Sequence, residues 1–210
     1  AITEKLYEGF VEKFNAHLMQ YPYLLGGKPC LGDFGLMCPL YGHLGRDPVP
    51  HRLLQMRGPW VHRWVERMNR PEPDTGEYIN LPHSFLQDDE VPETIIELLT
   101  HFALDFVPET IASHSGINRW LEENKPAIGA QCKRYVGEAE FVVEGTAIHV
   151  WTQPFRFYLL ERVQSAIQAL KGSDQADALA LIDTCNMTAV LDLKLDRKIG
   201  RADNLEVWLD

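Results

Sequence analysis

The sequence predicts a mainly α-helical bundle with a helical extension and one or two small β-hairpins. Three observations lead there. Apolar residues recur at helical spacing through most of the chain. Proline, glycine and threonine stand where such runs start and stop. The period changes to two near 139–151, and ambiguously again in the tail 190–209.

Thr3 can cap a first helix, with Glu4 in its first turn. Tyr7, Val11, Phe14 and Leu18 then repeat at i, i+4, i+7 and i+11, flanked by Leu6 and Phe10. So wide an apolar face predicts packing on more than one side. Residues 21–29 form a loop broken by Pro22, Gly26, Gly27 and Pro29. The stretch the chain is organised around comes next, at 31–44. Leu31, Phe34, Leu36 or Met37, Leu40, Tyr41 and Leu44 give it one inward stripe, which predicts a buried helix. Asp33 lies in its first turn, where a carboxylate meets free backbone N–H groups and the positive end of the helix dipole. Cys30 stands three residues earlier, where a capping box places Ser or Thr. A thiol accepts hydrogen bonds weakly, so Asp33 carries most of that cap.

Gly45-Arg46-Asp47-Pro48 stops the helix, and 50–56 forms a short helical piece. Pro59 opens another helix at the position where its missing N–H matters least. Val61, Trp64, Val65 and Met68 face inward there, and Arg63, Glu66, Arg67 and Arg70 face water. Trp60 and Trp64, at helical spacing, read as packing residues rather than stacking platforms. Composition shifts at Pro71. Residues 71–76 are rich in turn formers, and 78–91 stays irregular, with Pro82 and the acidic run Asp88-Asp89-Glu90. Pro92 opens an apolar helix through Ile95, Leu98, Leu99, Phe102 and Phe106. Pro108 predicts a kink or restart, with a second piece to about Lys125 that holds Trp120 and Leu121. Phe141, Val143, Ile148 and Val150 alternate around Glu144-Gly145-Thr146, the pattern of a hairpin. A helix from Pro154 carries Phe155, Tyr158, Leu159, Val163, Ile167 and Leu170 and ends at Gly172. Ser173 caps the next, around Ala176, Leu179 and Ile182. In the tail, Leu191, Leu193 and Leu195 alternate like a strand that residues 200–204 turn back. The expected division is 1–71 as one helical unit, 72–91 as linker, and 92–210 as a helical extension packing on the first part.

Size and charge narrow the function. A chain of 210 residues, 45% hydrophobic and 24% charged, buries a substantial core. A net charge of −10 without clustered Lys and Arg argues against nucleic acid as a partner. Cys30, Cys38, Cys132 and Cys185 are scattered without metal-ligand spacing, which fits reduced thiols in a cytoplasmic protein. No signal-like or bilayer-spanning run is present, so no membrane partner is expected. The chain starts without Met on a helical pattern, as a fragment or processed piece does. Ser113-His114-Ser115-Gly116 lacks the Gly-x-Ser-x-Gly elbow and reads as surface or kink residues. The eight histidines form no i, i+4 pair, Asp88–Glu90 reads as a solvated loop, and Gly26-Gly27-Lys28 lacks the spacing of a phosphate loop. No metal site is expected, and Asp33 itself reads as structural rather than chemical.

Three motifs in order carry a resemblance. Tyr21-Pro22-Tyr23-Leu24-Leu25-Gly26-Gly27 is followed by Cys30-x-x-Asp33 and then by Pro59-Trp60-Val61-His62-Arg63-Trp64-Val65-Glu66-Arg67-Met68-Asn69-Arg70-Pro71. Over about residues 3–71 the chain resembles the C-terminal helical domain of the glutathione S-transferases, whose N-capping box is Ser/Thr-x-x-Asp. Cys30 departs from that box. The resemblance implies a thioredoxin-like domain, upstream in the same parent protein, that binds and activates glutathione. This chain would then supply the hydrophobic acceptor-substrate side and the scaffold, with no catalytic residue of its own and no conjugating activity alone. Tyr7 and Phe10 are the implied substrate contacts, with core packing as the alternative. A homodimer is a further implied partner. The rival reading is a non-catalytic protein–protein interaction module on the same fold, favoured by the roughly 140 residues that follow Pro71.

Overall fold

The computed structural model describes residues 1–70 and 76–210. It contains seven α-helices and two antiparallel strand pairs among the described residues, the class the sequence predicts. The chain divides into two units, Thr3–His101 and Phe102–Asp210.

In the first unit, α1 (Ile2–Leu18) starts one step before Thr3, and Glu4 binds the Ala1 ammonium instead of serving a Thr3 cap. Phe10, Val11, Phe14 and Leu18 are buried, and so is His17 beside them. α2 (Leu31–Pro39) continues as a wider π-type turn at Leu40–Leu44, closed by the Gly45 amide on the Leu40 carbonyl at 2.6 Å. α3 (Pro48–Arg57) and α4 (Pro59–Met68) follow. Asn15 Oδ1 accepts the Trp60 amide at 3.0 Å and so serves the free N-terminus of α4. α5 (Glu93–Asn124) gives its first turns to this unit.

Two expectations are corrected here. The 31–44 helix is buried along only part of the predicted stripe: Leu31 is 88% and Phe34 57% exposed, while Leu40 is fully buried. With about 100° per residue, the inward face of α2 and the turn after it is Asp33, Leu36, Met37 and Leu40, of which Asp33 and Leu40 are fully buried. Arg67 does not face water. It is buried with its guanidinium over the rings of Tyr23 and Tyr78, at 5.7 and 5.2 Å, and donates through Nη2 to the Pro22 carbonyl at 3.2 Å.

The linker expected at 72–91 begins in residues 71–75, outside the described part. From Gly76 onward it belongs to the first unit. Tyr78 is buried with its hydroxyl on the Leu18 carbonyl, and the Gly27 and Leu86 amides bond the Ser84 and Leu25 carbonyls at 2.8 and 3.0 Å. This pairing explains the double glycine. Gly26 holds φ +109°, and a Cβ at Gly27 would come within 2.0 Å of the Pro82 carbonyl oxygen.

In the second unit α5 runs unbroken through Pro108, where a restart was expected. Proline leaves the carbonyl four residues back, that of Leu104, without its donor, and Leu104 lies on an exposed part of the helix, at 45%. β1 (Glu138–Val143) and β2 (Thr146–Trp151) pair in the predicted hairpin, with Phe141 opposite Ile148. Its two-residue turn, Glu144-Gly145, has positive φ at both positions, the I′ geometry that suits strand twist.

α6 (Pro154–Ala169) starts where Pro154 predicts and buries Phe157, Leu160 and Gln164, whereas Phe155, Leu159 and Val163 are exposed. α7 (Gly172–Thr184) begins at Gly172 rather than after a Ser173 cap and buries no residue fully. The tail pairs later than predicted, as β3 (Ile199–Ala202) and β4 (Leu205–Trp208) around Asp203-Asn204, while 191–198 is irregular. Ile117, Leu121, Val136, Phe157, Leu160 and Trp208 are central to the core of this unit.

Gly27→Ala should lower stability by about 1–3 kcal/mol, because backbone must move to admit the methyl group. Gly35→Ala, on the open side of α2 with nothing within 4 Å, should raise it by up to about 1 kcal/mol. Thermal unfolding of the two variants checks both signs.

Candidate functional site

The first candidate is the junction around Asp33, which is 0% exposed. Its Oδ2 accepts the Cys30 amide at 2.9 Å, and its Oδ1 accepts the Leu24 amide and the Trp64 indole N–H, each at 3.2 Å. Cys30 Sγ in turn faces the Asp33 amide, so the reciprocal capping box forms with a thiol in it. Burial pushes that thiol up from its ordinary range and outweighs the neighbouring amides, which leaves Cys30 a poor nucleophile. One carboxylate thus ties the 21–29 loop, the start of α2 and the middle of α4 together.

Trp64 meets Phe14 edge to face at 5.0 Å, and Phe14 stacks on Phe10 at 5.6 Å. Tyr7 lies one turn up, its ring 6.3 Å from Phe10. Of the sequence-derived site residues, Cys30 and Asp33 are therefore in direct contact, and an aromatic ladder connects them to Phe10 and Tyr7. Phe10 is buried as a packing residue. Tyr7 differs: its hydroxyl is buried without a hydrogen-bond partner among the described residues, and burial pushes the phenol up to about 12. Such a group is a neutral donor waiting for an acceptor.

His17, which sequence reading passed over, closes the other side of the junction. Its Nε2–H donates to the Tyr23 carbonyl at 3.1 Å and its Nδ1 accepts the Thr94 hydroxyl at 2.8 Å. Burial holds its pKa below the ordinary value, against the pull of the Tyr23 carbonyl and the Asp33 charge.

The second candidate lies in the other unit and had no sequence signal. A groove of about 300 Å³ opens between α6 and the irregular segment 193–198. Buried Gln164 donates to the Val190 and Leu193 carbonyls at 2.9 and 3.0 Å, and His114 donates to the Lys194 carbonyl at 2.8 Å. Asn118 accepts the Asp196 amide at 3.0 Å. Side chains of α5 and α6 thus hold a segment with no ladder of its own, and His114 gains a role that its sequence context hid. Phe157, Leu193 and Ile199 contribute apolar lining to the groove, and Lys194, Arg197, Lys198 and Glu161 contribute charged lining.

None of the four cysteines forms a disulfide among the described residues. Among the described residues no helix is long and apolar enough to cross a membrane, and no cluster of ligating side chains is placed to hold a metal ion. Compared with models of known families, with curated proteins and with solved structures, the chain matches none of them.

Asp33→Ala strands the amides of Leu24 and Cys30 and the Trp64 indole, and should cost about 3 kcal/mol or more. Asp33→Asn should cost nearly as much, since its NH₂ turns a donor toward donors. Chemical denaturation followed by tryptophan fluorescence measures both. The His17 prediction concerns pH. With the native pKa depressed, the unfolded chain binds a proton that the native state refuses, so stability is full above about 6.5 and falls as pH drops from there toward the native value. One such group contributes a slope of at most about 1.4 kcal/mol per pH unit. Unfolding curves between pH 5 and 8 should therefore be flatter for His17→Gln than for the natural chain.

Proposed function

We propose that this chain is the C-terminal helical domain of a glutathione transferase-like protein. It supplies the hydrophobic acceptor side and the scaffold for a thioredoxin-like domain of the same parent, which holds glutathione. The observation that carries the reading is the buried carboxylate of Asp33 in the first turn of α2, accepting the Cys30 amide at 2.9 Å and joining that helix start to Trp64. That arrangement is what the Cys30-x-x-Asp33 box and the Pro59–Pro71 motif require of each other. Tyr7 fits the acceptor side: its unpartnered buried hydroxyl gains a hydrogen bond when a substrate or an adjoining domain brings an acceptor. Exposed Leu31 and Phe34 at the start of α2 fit a surface that a neighbouring domain covers.

A second reading, an assembly module, is favoured by one observation. The stripe Phe155, Leu159 and Val163 along α6 is 44%, 48% and 54% exposed, an apolar face suited to a second copy of the chain.

The full gene product, with any residues encoded before Ala1, should bind immobilised glutathione and join its thiolate sulfur to the chlorine-bearing carbon of 1-chloro-2,4-dinitrobenzene, forming a C–S bond as the C–Cl bond breaks and chloride leaves. Tyr7→Phe should raise KM for the electrophile by about three- to tenfold, the worth of one hydrogen bond, and leave that for glutathione unchanged. If the gene product neither binds nor conjugates glutathione, while sedimentation shows a discrete complex independent of it, the assembly reading replaces the enzymatic one.

A further inference from the structure

Three cationic side chains, Lys194, Arg197 and Lys198, and one carboxylate, Glu161, line the groove between α6 and residues 193–198. Arg197 Nη1 is buried without a hydrogen-bond partner, and no carboxylate among the described residues forms an ion pair with Arg197, Lys194 or Lys198. In a chain of net charge −10, this local excess of positive charge runs against the overall field. A guanidinium nitrogen removed from water without an acceptor is costly, and such groups ordinarily find partners. Because no hydrogen bond holds it in place, its terminal torsions can turn toward the groove without breaking one.

The surroundings narrow what it would meet there. The lining from Phe157, Leu193 and Ile199 is apolar, and the volume of about 300 Å³ lies at the small end of ligand pockets. The walls are fixed in advance by the bonds from Gln164, His114 and Asn118, so binding need not order the segment. We propose that this groove binds a small organic anion, a carboxylate or phosphate on a short apolar body, with Arg197 receiving the head and Lys194 and Lys198 adding field at the rim. A planar guanidinium suits either head through paired N–H donors. Nothing in this assignment depends on the glutathione reading, which concerns the other unit.

The test is calorimetric titration of the chain, without glutathione, with sodium octanoate, octyl phosphate, 1-octanol and inorganic phosphate. Octanoate or octyl phosphate should bind at least about tenfold more tightly than octanol, and raised salt should narrow that gap. The tighter of the two anions assigns the head group. Arg197→Met keeps an apolar stem and should bring the anions down to the level of octanol. Its melting temperature should be unchanged or higher, since a buried N–H without a partner is removed. Lys194→Gln with Lys198→Gln should weaken the anions less than Arg197→Met does, and supplies the readout if the arginine variant fails to fold. Equal binding of octanol, equal binding of inorganic phosphate alone, or undiminished anion binding by Arg197→Met would each overturn the proposal.

Discussion

A single buried carboxylate holds the first unit together. Asp33 sits on the inward face of a nine-residue helix, where an apolar side chain would be the ordinary occupant. Burial of an ionised carboxylate is tolerable only when its lone pairs are filled. Here the amides of Leu24 and Cys30 and the indole of Trp64 fill them. Those donors come from a loop, a helix start and a different helix. The cap therefore acts as a three-way tie as well as a local stop signal. Trp64 in turn carries Phe14, and Phe14 carries Phe10 and faces His17, so the orientation of α1 follows from the same node.

The buried polar side chains of the molecule differ in how completely they are satisfied, and that difference separates scaffold from site. Asp33, His17 and Gln164 all have partners, and each one fixes backbone that lacks a ladder of its own. Arg67 is intermediate: aromatic faces and the Pro22 carbonyl hold it, while its Nε has no partner. The Tyr7 hydroxyl and Arg197 Nη1 have none among the described residues. A fully satisfied network specifies structure; an orphaned donor marks a place where the fold retains an unfilled bond. One of the two orphans lies beside the aromatic ladder of the first unit, and the other lines the groove of the second.

Periodicity finds an apolar stripe without saying what it faces. On α6 the stripe Phe155, Leu159 and Val163 is as regular as any in the chain, yet the core takes Phe157, Leu160 and Gln164 from the opposite side. The buried glutamine broke the apolar pattern on the side that mattered. On α2 the aspartate did the same. In both cases a polar residue is inward because non-local backbone groups meet it there, and single-chain spacing contains no record of those groups.

What the sequence determined by itself was local: helices at Pro59 and Pro154, the Glu144-Gly145 hairpin, and the pairing of Cys30 with Asp33 across one helical turn. These depend on dihedral preferences and on donors within a few residues, which composition and spacing encode directly. The tertiary structure decided the rest: the burial of Arg67 between two tyrosines, the continuity of α5 through Pro108, and the joining of 84–86 to the glycine loop. It also decided the existence of a charged groove built from residues more than twenty positions apart. Each of these depends on partners distant in sequence, and the free energy of such contacts is fixed only once the chain has brought them together.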